Sequence, residues 1–331
     1  MTLDPTGVGT GPDGLVPLEE VRAAAARIEG RVVHTPLLPI GGLPDRAGAE
    51  VRLKVESLQR SGSFKLRGAS NYIDALPSEV AAPGVITYSS GNHAQAVALA
   101  ARSRGVSAVV VMPTTAPAVK IEGARRHGAR VVFEGTTSIE RRARAERIAA
   151  EEGLHMVPPF DHPAIIAGQG TAALEAAEAW PEMDAWVVCI GGGGLASGSG
   201  VVLRALRSGA RLIGVEPEGA AAMQASIAAG EPVTLGAVET IADGLAPVRP
   251  GDLTFKHVHA LFDEVVTVTD EEIREATRLL ALTHKLVVEF SGAAPLAAMR
   301  SLDLGLAGRR VGVVVSGGNM DPALLRNLIG E

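Results

Sequence analysis

One lysine has a setting unlike any other in the chain. It lies in Ser61-Gly62-Ser63-Phe64-Lys65-Leu66-Arg67-Gly68-Ala69, between an aromatic residue and the start of a helical pattern. At a helix N-terminus the positive dipole end disfavours the ammonium form, and a lysine kept as the free amine can form a Schiff base with a carbonyl. Position alone would fit a solvated surface lysine better, so the case depends on the loops that accompany it. Ser89-Ser90-Gly91-Asn92-His93 follows an apolar run at 84–88, the tetrad Gly191, Gly192, Gly193 and Gly194 follows 186–190, and Ser316-Gly317-Gly318-Asn319 follows 311–315. Small residues at strand ends let backbone N–H groups approach a ligand, and the helix that follows aims its dipole at the same point. Any one such loop can be a tight turn; three in one chain point to a single ligand with several polar handles. The glycine tetrad suits a phosphate monoester, whose oxygens accept several N–H bonds at once. The run from Gly191 on lacks the spaced acid of a dinucleotide fingerprint, and no Gly-Lys-Ser/Thr marks a nucleoside triphosphate loop. The expected ligand is a phosphate-bearing cofactor other than a nucleotide.

These loops need strands that end together. Short apolar runs alternate with alanine-rich helical patterns: 106–112 then 118–127, 129–133 then 138–152, 186–190 then 195–208, and 212–215 then 220–229. Nearly all-apolar strands alternating with helices mean an α/β fold with parallel sheets covered on both faces. The length of 331 residues exceeds what one core supports, so two domains are expected. A net charge of −6 and 3% aromatics argue against a nucleic-acid partner. The single Cys189 fits a reducing compartment. No stretch approaches the length of a membrane span, and residues 1–14 have no signal-peptide pattern. The expectation is a soluble, cytoplasmic protein whose first fifteen or so residues are a loose tail.

The motifs Ser63-Phe64-Lys65-Leu66-Arg67-Gly68, Ser89-Ser90-Gly91-Asn92-His93-Ala94-Gln95, the glycine tetrad with Leu195, and Ser316-Gly317-Gly318-Asn319 stand in an order that resembles the threonine dehydratase and serine racemase family of fold-type II enzymes, which use pyridoxal 5'-phosphate (PLP). Pro158-Pro159-Phe160-Asp161 and Thr240-Ile241-Ala242-Asp243-Gly244 agree, so the resemblance covers about residues 20–328. It implies a large PLP-binding domain from 1–83 and 158–331, with a small domain inserted at 84–157. Lys65 would hold the cofactor and later take the Cα proton, with Phe64 beside it. Asn92 would bind the ring hydroxyl, Gly191, Gly192, Gly193, Gly194 and Leu195 the phosphate, and Ser316 the pyridine nitrogen. Ser89, Ser90, Gly91, Asn92 and His93 would grip the substrate carboxylate. The implied reaction converts a small β-hydroxy amino acid, such as L-threonine or L-serine, to a 2-oxo acid and ammonia, in a homo-oligomer. Serine-type racemisation and dehydration of threo-3-hydroxyaspartate stay open, and so does a non-catalytic PLP- or amino-acid-binding protein. Ser90 stands where racemases place a second acid, although a donor to the substrate carboxylate is the favoured role.

Several residues depart from the family pattern or read as structural. Relatives bind a divalent cation through an acid, a carbonyl and a second acid; here Glu216 and Ala220 match the first two, but Ala222 takes the third place, so no obligatory metal is expected. Glu289 matches an acid near the cofactor ring, while Phe290 replaces the usual proline and leaves threonine specificity open. His257 and His259 read as surface or cap residues, Cys189 as a small core residue, and Arg125, Arg126, Arg141 and Arg142 as helix-face charges. The chain ends about a dozen residues after Asn319, which carries the expectation of no C-terminal regulatory domain.

Overall fold

The computed structural model describes residues 4–41, 48–89, 91–116 and 118–330. Its strands are β1 (Leu37–Ile40), β2 (Glu50–Val55), β3 (Val85–Tyr88), β4 (Ala108–Met112), β5 (Arg130–Phe133), β6 (His155–Met156), β7 (Ala185–Cys189), β8 (Arg211–Pro217), β9 (Glu264–Val268) and β10 (Arg310–Val315). One sheet runs β1-β2-β10-β7-β8-β9, and a second runs β5-β4-β3-β6. Every pairing is parallel except β1 with β2 at the edge. The all-apolar runs of β4, β7 and β10 are buried because helices cover both faces. The strands expected at 84–88, 106–112, 129–133, 186–190, 212–215 and 311–315 are present within a residue or two at each end. Strands β1, β2, β6 and β9 carried no comparable run; β6 is two residues long and β1 is half-exposed.

In the parallel sheets the loops at the carboxyl ends come together. β10 lies between β2 and β7, so the segments after these three strands are neighbours. Phe64 donates its N–H to the Ser316 carbonyl at 3.1 Å, and Ser63 bridges Gly317. The helix Lys65–Ala75 then begins at the lysine, as the sequence predicts. It lies against the helix Pro163–Ala179 at glycine-to-glycine range: a Cβ added to Gly168 would fall 2.6 Å from the Gly68 Cα.

Two expectations change. The leading segment is packed from Asp4 onward: Thr6, Val8 and Val16 are buried, and the Val16 N–H meets His257 Nε2 at 2.8 Å. His257 is therefore fully buried, with Nδ1 on the Leu253 carbonyl at 2.8 Å, while His259 is exposed as expected. The Gly/Pro-rich composition concealed this because its anchors are side-chain and backbone hydrogen bonds rather than an apolar run. No helix among the described residues is long and apolar enough to cross a membrane.

Candidate active site

A cavity of about 490 Å³ opens between the two sheets, and the residues singled out in the sequence line it. Phe64, Lys65, Ser89, Gly91, Asn92, His93, the glycine tetrad, Leu195 and Ser316 all do so. Ser90 lies outside the described residues. Lys65 extends from the first turn of its helix and donates to the Pro159 carbonyl at 3.0 Å. Burial pushes its ammonium down to about 8, against the pull of Cys189 and Glu289. A free amine is thus accessible near neutral pH.

The glycine loop is shaped by contacts that leave no room for a side chain. At Gly192 a Cβ would fall 2.2 Å from the Phe160 ring, and at Gly193, where φ is +93°, 2.7 Å from Thr254 Cβ. Thr254 donates its hydroxyl to the Gly192 carbonyl at 2.6 Å, and Asp161 accepts the Leu253 and Thr254 amides at 3.0 Å. The helix Gly194–Leu206 starts here, and its first intrahelical bond runs from the Ser197 N–H to the Gly193 carbonyl at 2.8 Å. The amides ahead of it have no acceptor within the helix, the arrangement that receives a phosphate. The cradle therefore fits a phosphorylated cofactor on its own geometry.

The opposite wall belongs to the helix Asn92–Arg104, whose N-cap is Gly91. Asn92 donates to Glu289, and its carbonyl accepts from Asn319 at 2.8 Å. Burial pushes Glu289 up to about 7, with Asp243 adding to the rise and the Asn92 hydrogen bond opposing it. His93 is buried, its Nε2 lies 3.4 Å from the Val157 carbonyl, and Nδ1 has no partner among the described residues. Burial pushes its imidazole down to about 3, so it is neutral. Ser316 is buried within hydrogen-bonding reach of the Cys189 thiol, which burial pushes up to about 11. Cys189 is thus a small buried residue that also faces the cavity.

Sequence reasoning missed part of the wall. Arg141 lines the cavity rather than a solvated face: one terminal nitrogen donates to the Thr136 carbonyl at 3.1 Å, Nε is buried without a partner, and no carboxylate pairs with it among the described residues. A helical pattern does not reveal which face meets another element, so nothing local marked it. Arg142 does pair with Glu146 at 2.8 Å, as a helix-face charge should. At the mouth Lys120 pairs with Asp243, joining the helix Ala118–Arg126 to the short turn Asp243–Leu245. Glu216, fully buried, accepts the Met223 and Gln224 amides at 2.8 Å, and burial pushes it up to about 7.

A lysine on a helix start, facing a phosphate cradle where parallel strands end, defines a PLP-dependent enzyme. The chain belongs to that family: residues 28–317 match the family described as pyridoxal-phosphate dependent enzyme. It is 41% identical to an L-threo-3-hydroxyaspartate ammonia-lyase of Pseudomonas sp., over 91% of this chain and 95% of the relative. It is 40% identical to an L-threonine ammonia-lyase of Thermotoga maritima, over 96% of this chain and 79% of that one. Among solved structures, maize serine racemase superposes with a TM-score of 0.90 at 38% identity, covering 94% of this chain and 96% of the other. The fold is that of fold-type II PLP enzymes, and the cofactor is PLP.

Proposed function

We propose that this protein is an ammonia-lyase that eliminates the β-hydroxyl of a small β-hydroxy amino acid, such as L-threonine or L-serine, as water; the enamine so formed takes up water again and yields a 2-oxo acid and ammonia. The observation that carries the reading is Lys65, a half-buried amine facing a phosphate cradle, with the neutral hydroxyl of Ser316 on the same wall where a carboxylate would strengthen the electron sink. PLP, when bound, draws electrons from the bonds at Cα; a serine partner does not force ring protonation, which disfavours transamination and favours loss of the β-hydroxyl. In this reading Lys65 takes the Cα proton, Asn92 donates to the ring hydroxyl, and the glycine tetrad with Leu195 holds the phosphate. Ser89, Gly91 and the first amides of the helix Asn92–Arg104 receive the substrate carboxylate. Residues 84–157 act as a small domain that closes on the substrate and excludes water. The chain is read as a cytoplasmic homo-oligomer without a nucleic-acid partner.

Arg141 favours a second reading of the substrate. A cation on the cavity wall with no carboxylate partner among the described residues suits a substrate that brings its own, which makes L-threo-3-hydroxyaspartate a fitting member of the class. Release of 2-oxo acid and ammonia from this compound, L-threonine and L-serine, with added PLP, tests both statements. Turnover that Lys65→Ala abolishes supports the lyase. A kcat/KM preference for hydroxyaspartate that Arg141→Leu removes selects the dicarboxylate. Inversion of serine without ammonia release overturns the lyase reading.

A further inference from the structure

The connector between β6 and the helix Pro163–Ala179 touches each part of the site. Pro159 accepts from Lys65, Phe160 backs Gly192, and Asp161 holds the start of the helix Asp252–Leu261. At its end His162 caps the helix Pro163–Ala179, its Nδ1 accepting the Ala164 N–H at 3.1 Å. The proton must therefore sit on Nε2, which points at Asp4 Oδ2 3.0 Å away. Asp4 is itself organised: it accepts the Thr6 N–H at 3.0 Å and the Thr6 hydroxyl at 2.9 Å, and Thr6 in turn accepts the Val8 N–H at 3.3 Å. The segment then turns through Gly11 and Gly14, and Val16 closes it on His257. His257 lies in the helix whose N-terminus Asp161 caps, so both ends of the segment hold partners of the same connector. Gly14 suits this path: its φ is +73°, a backbone conformation that side-chain-bearing residues rarely adopt.

We propose that residues 4–16 form a positioning strap: by holding His162 through Asp4 and His257 through the Val16 amide, they fix the 157–162 connector that sets Lys65 and the phosphate cradle. Asp4, His162 and His257 are not among the residues that line the cavity, so Asp4 and His162 are positioning residues, and the inference holds whichever amino acid is the substrate.

Three variants test it: deletion of residues 1–14, Asp4→Ala, and Asp4→Asn, whose carbonyl can still accept from His162 Nε2. Two quantities are read: the PLP dissociation constant, and amide hydrogen exchange of residues 157–164 in the apoprotein. The deletion is expected to weaken PLP binding about tenfold, and loss of the half-exposed Asp4–His162 pair alone about threefold. Exchange at 157–164 should quicken in both, and Asp4→Asn should restore most of each effect. If the deletion does not fold, Asp4→Ala decides by the same two readouts. Unchanged PLP affinity together with unchanged exchange at 157–164 would overturn the proposal and leave the segment as a surface covering.

Discussion

Replacing Glu289 by glutamine isolates the electrostatic cost of a carboxyl buried beside the cofactor site. The residue is 5% exposed and accepts a hydrogen bond from Asn92, which a glutamine carbonyl can also accept. Burial lifts its pKa from 4.5 to about 7 in the folded protein. Between those values the folded chain keeps a proton that the unfolded chain has lost. The group therefore leaves stability untouched below about pH 4.5, erodes it as pH rises towards 7, and holds a constant cost above that. At about 1.4 kcal/mol per pH unit across that window, the cost reaches roughly 3 kcal/mol at pH 8. Glutamine cannot ionise, so Glu289→Gln should be more stable than the parent by up to that amount at pH 8, and the gain should shrink towards zero near pH 4. Urea unfolding of both apoproteins across this range measures the difference, in which titrating groups that do not interact with Glu289 cancel. A difference that does not change with pH, or a parent that gains on the variant as pH rises, would refute the reasoning.

The phosphate cradle predicts that Gly192→Ala, whose Cβ would fall 2.2 Å from the Phe160 ring, weakens PLP binding. Overpacking of roughly 1–3 kcal/mol corresponds to about a five- to 150-fold rise in dissociation constant, read by titrating the visible absorbance; unchanged affinity would mean that the loop is not the phosphate site. Because burial holds Lys65 at about 8, the rate of PLP incorporation into apoprotein should rise with pH through that value and level off above it, as the reactive neutral amine replaces the ammonium. A stopped-flow rate that is flat from pH 6 to 9 would contradict this. Arg67→Leu should destabilise the protein by about 3–5 kcal/mol in urea, since it strands the buried Glu56; a loss under about 1 kcal/mol would mean that the cluster carries little of the fold.

The site was legible where chemistry forces a residue type, and illegible where only packing decides. Lys65, the glycine tetrad, Asn92 and Ser316 announce themselves because an amine, a side-chain-free loop and a neutral hydroxyl have few substitutes, and the loops of Asn92, the tetrad and Ser316 follow the apolar strands β3, β7 and β10. Thr254 and Arg141 carried no such mark: each is ordinary on its helix until the tertiary fold sets Thr254 against the glycine loop and Arg141 on the cavity wall. Pro159 and Phe160 were visible as a motif, but their roles are a backbone carbonyl and a ring face, which residue type alone does not predict. The leading segment was misread for the reverse reason: glycine and proline suggest looseness, while Asp4, Thr6 and Val16 secure it by specific hydrogen bonds.

Arg67 shows how the placement of the amine is fixed from outside the cavity. It stands two residues after Lys65 on the same helix, and two steps of about 100° carry its side chain to the far side. There it pairs with Glu56 at 2.8 Å and with Glu175 at 2.6 Å, while Glu175 also takes Lys54. Burial alone would raise the Glu56 carboxyl, yet the Arg67 guanidinium and Lys54 hold it below its ordinary value. Two cations and two anions leave this cluster neutral, so it can be buried without an uncompensated charge. One face of the helix is thereby locked to β2 and the helix Pro163–Ala179, and the close approach of Gly68 to Gly168 allows no sliding. The opposite face, carrying Lys65, inherits that precision. A buried ion cluster adds little net stability compared with apolar packing, but its charges and geometry specify one register. In the proposed reaction the Lys65 amine must meet both a cofactor carbon and a substrate proton, and so depends on that register more than on stability.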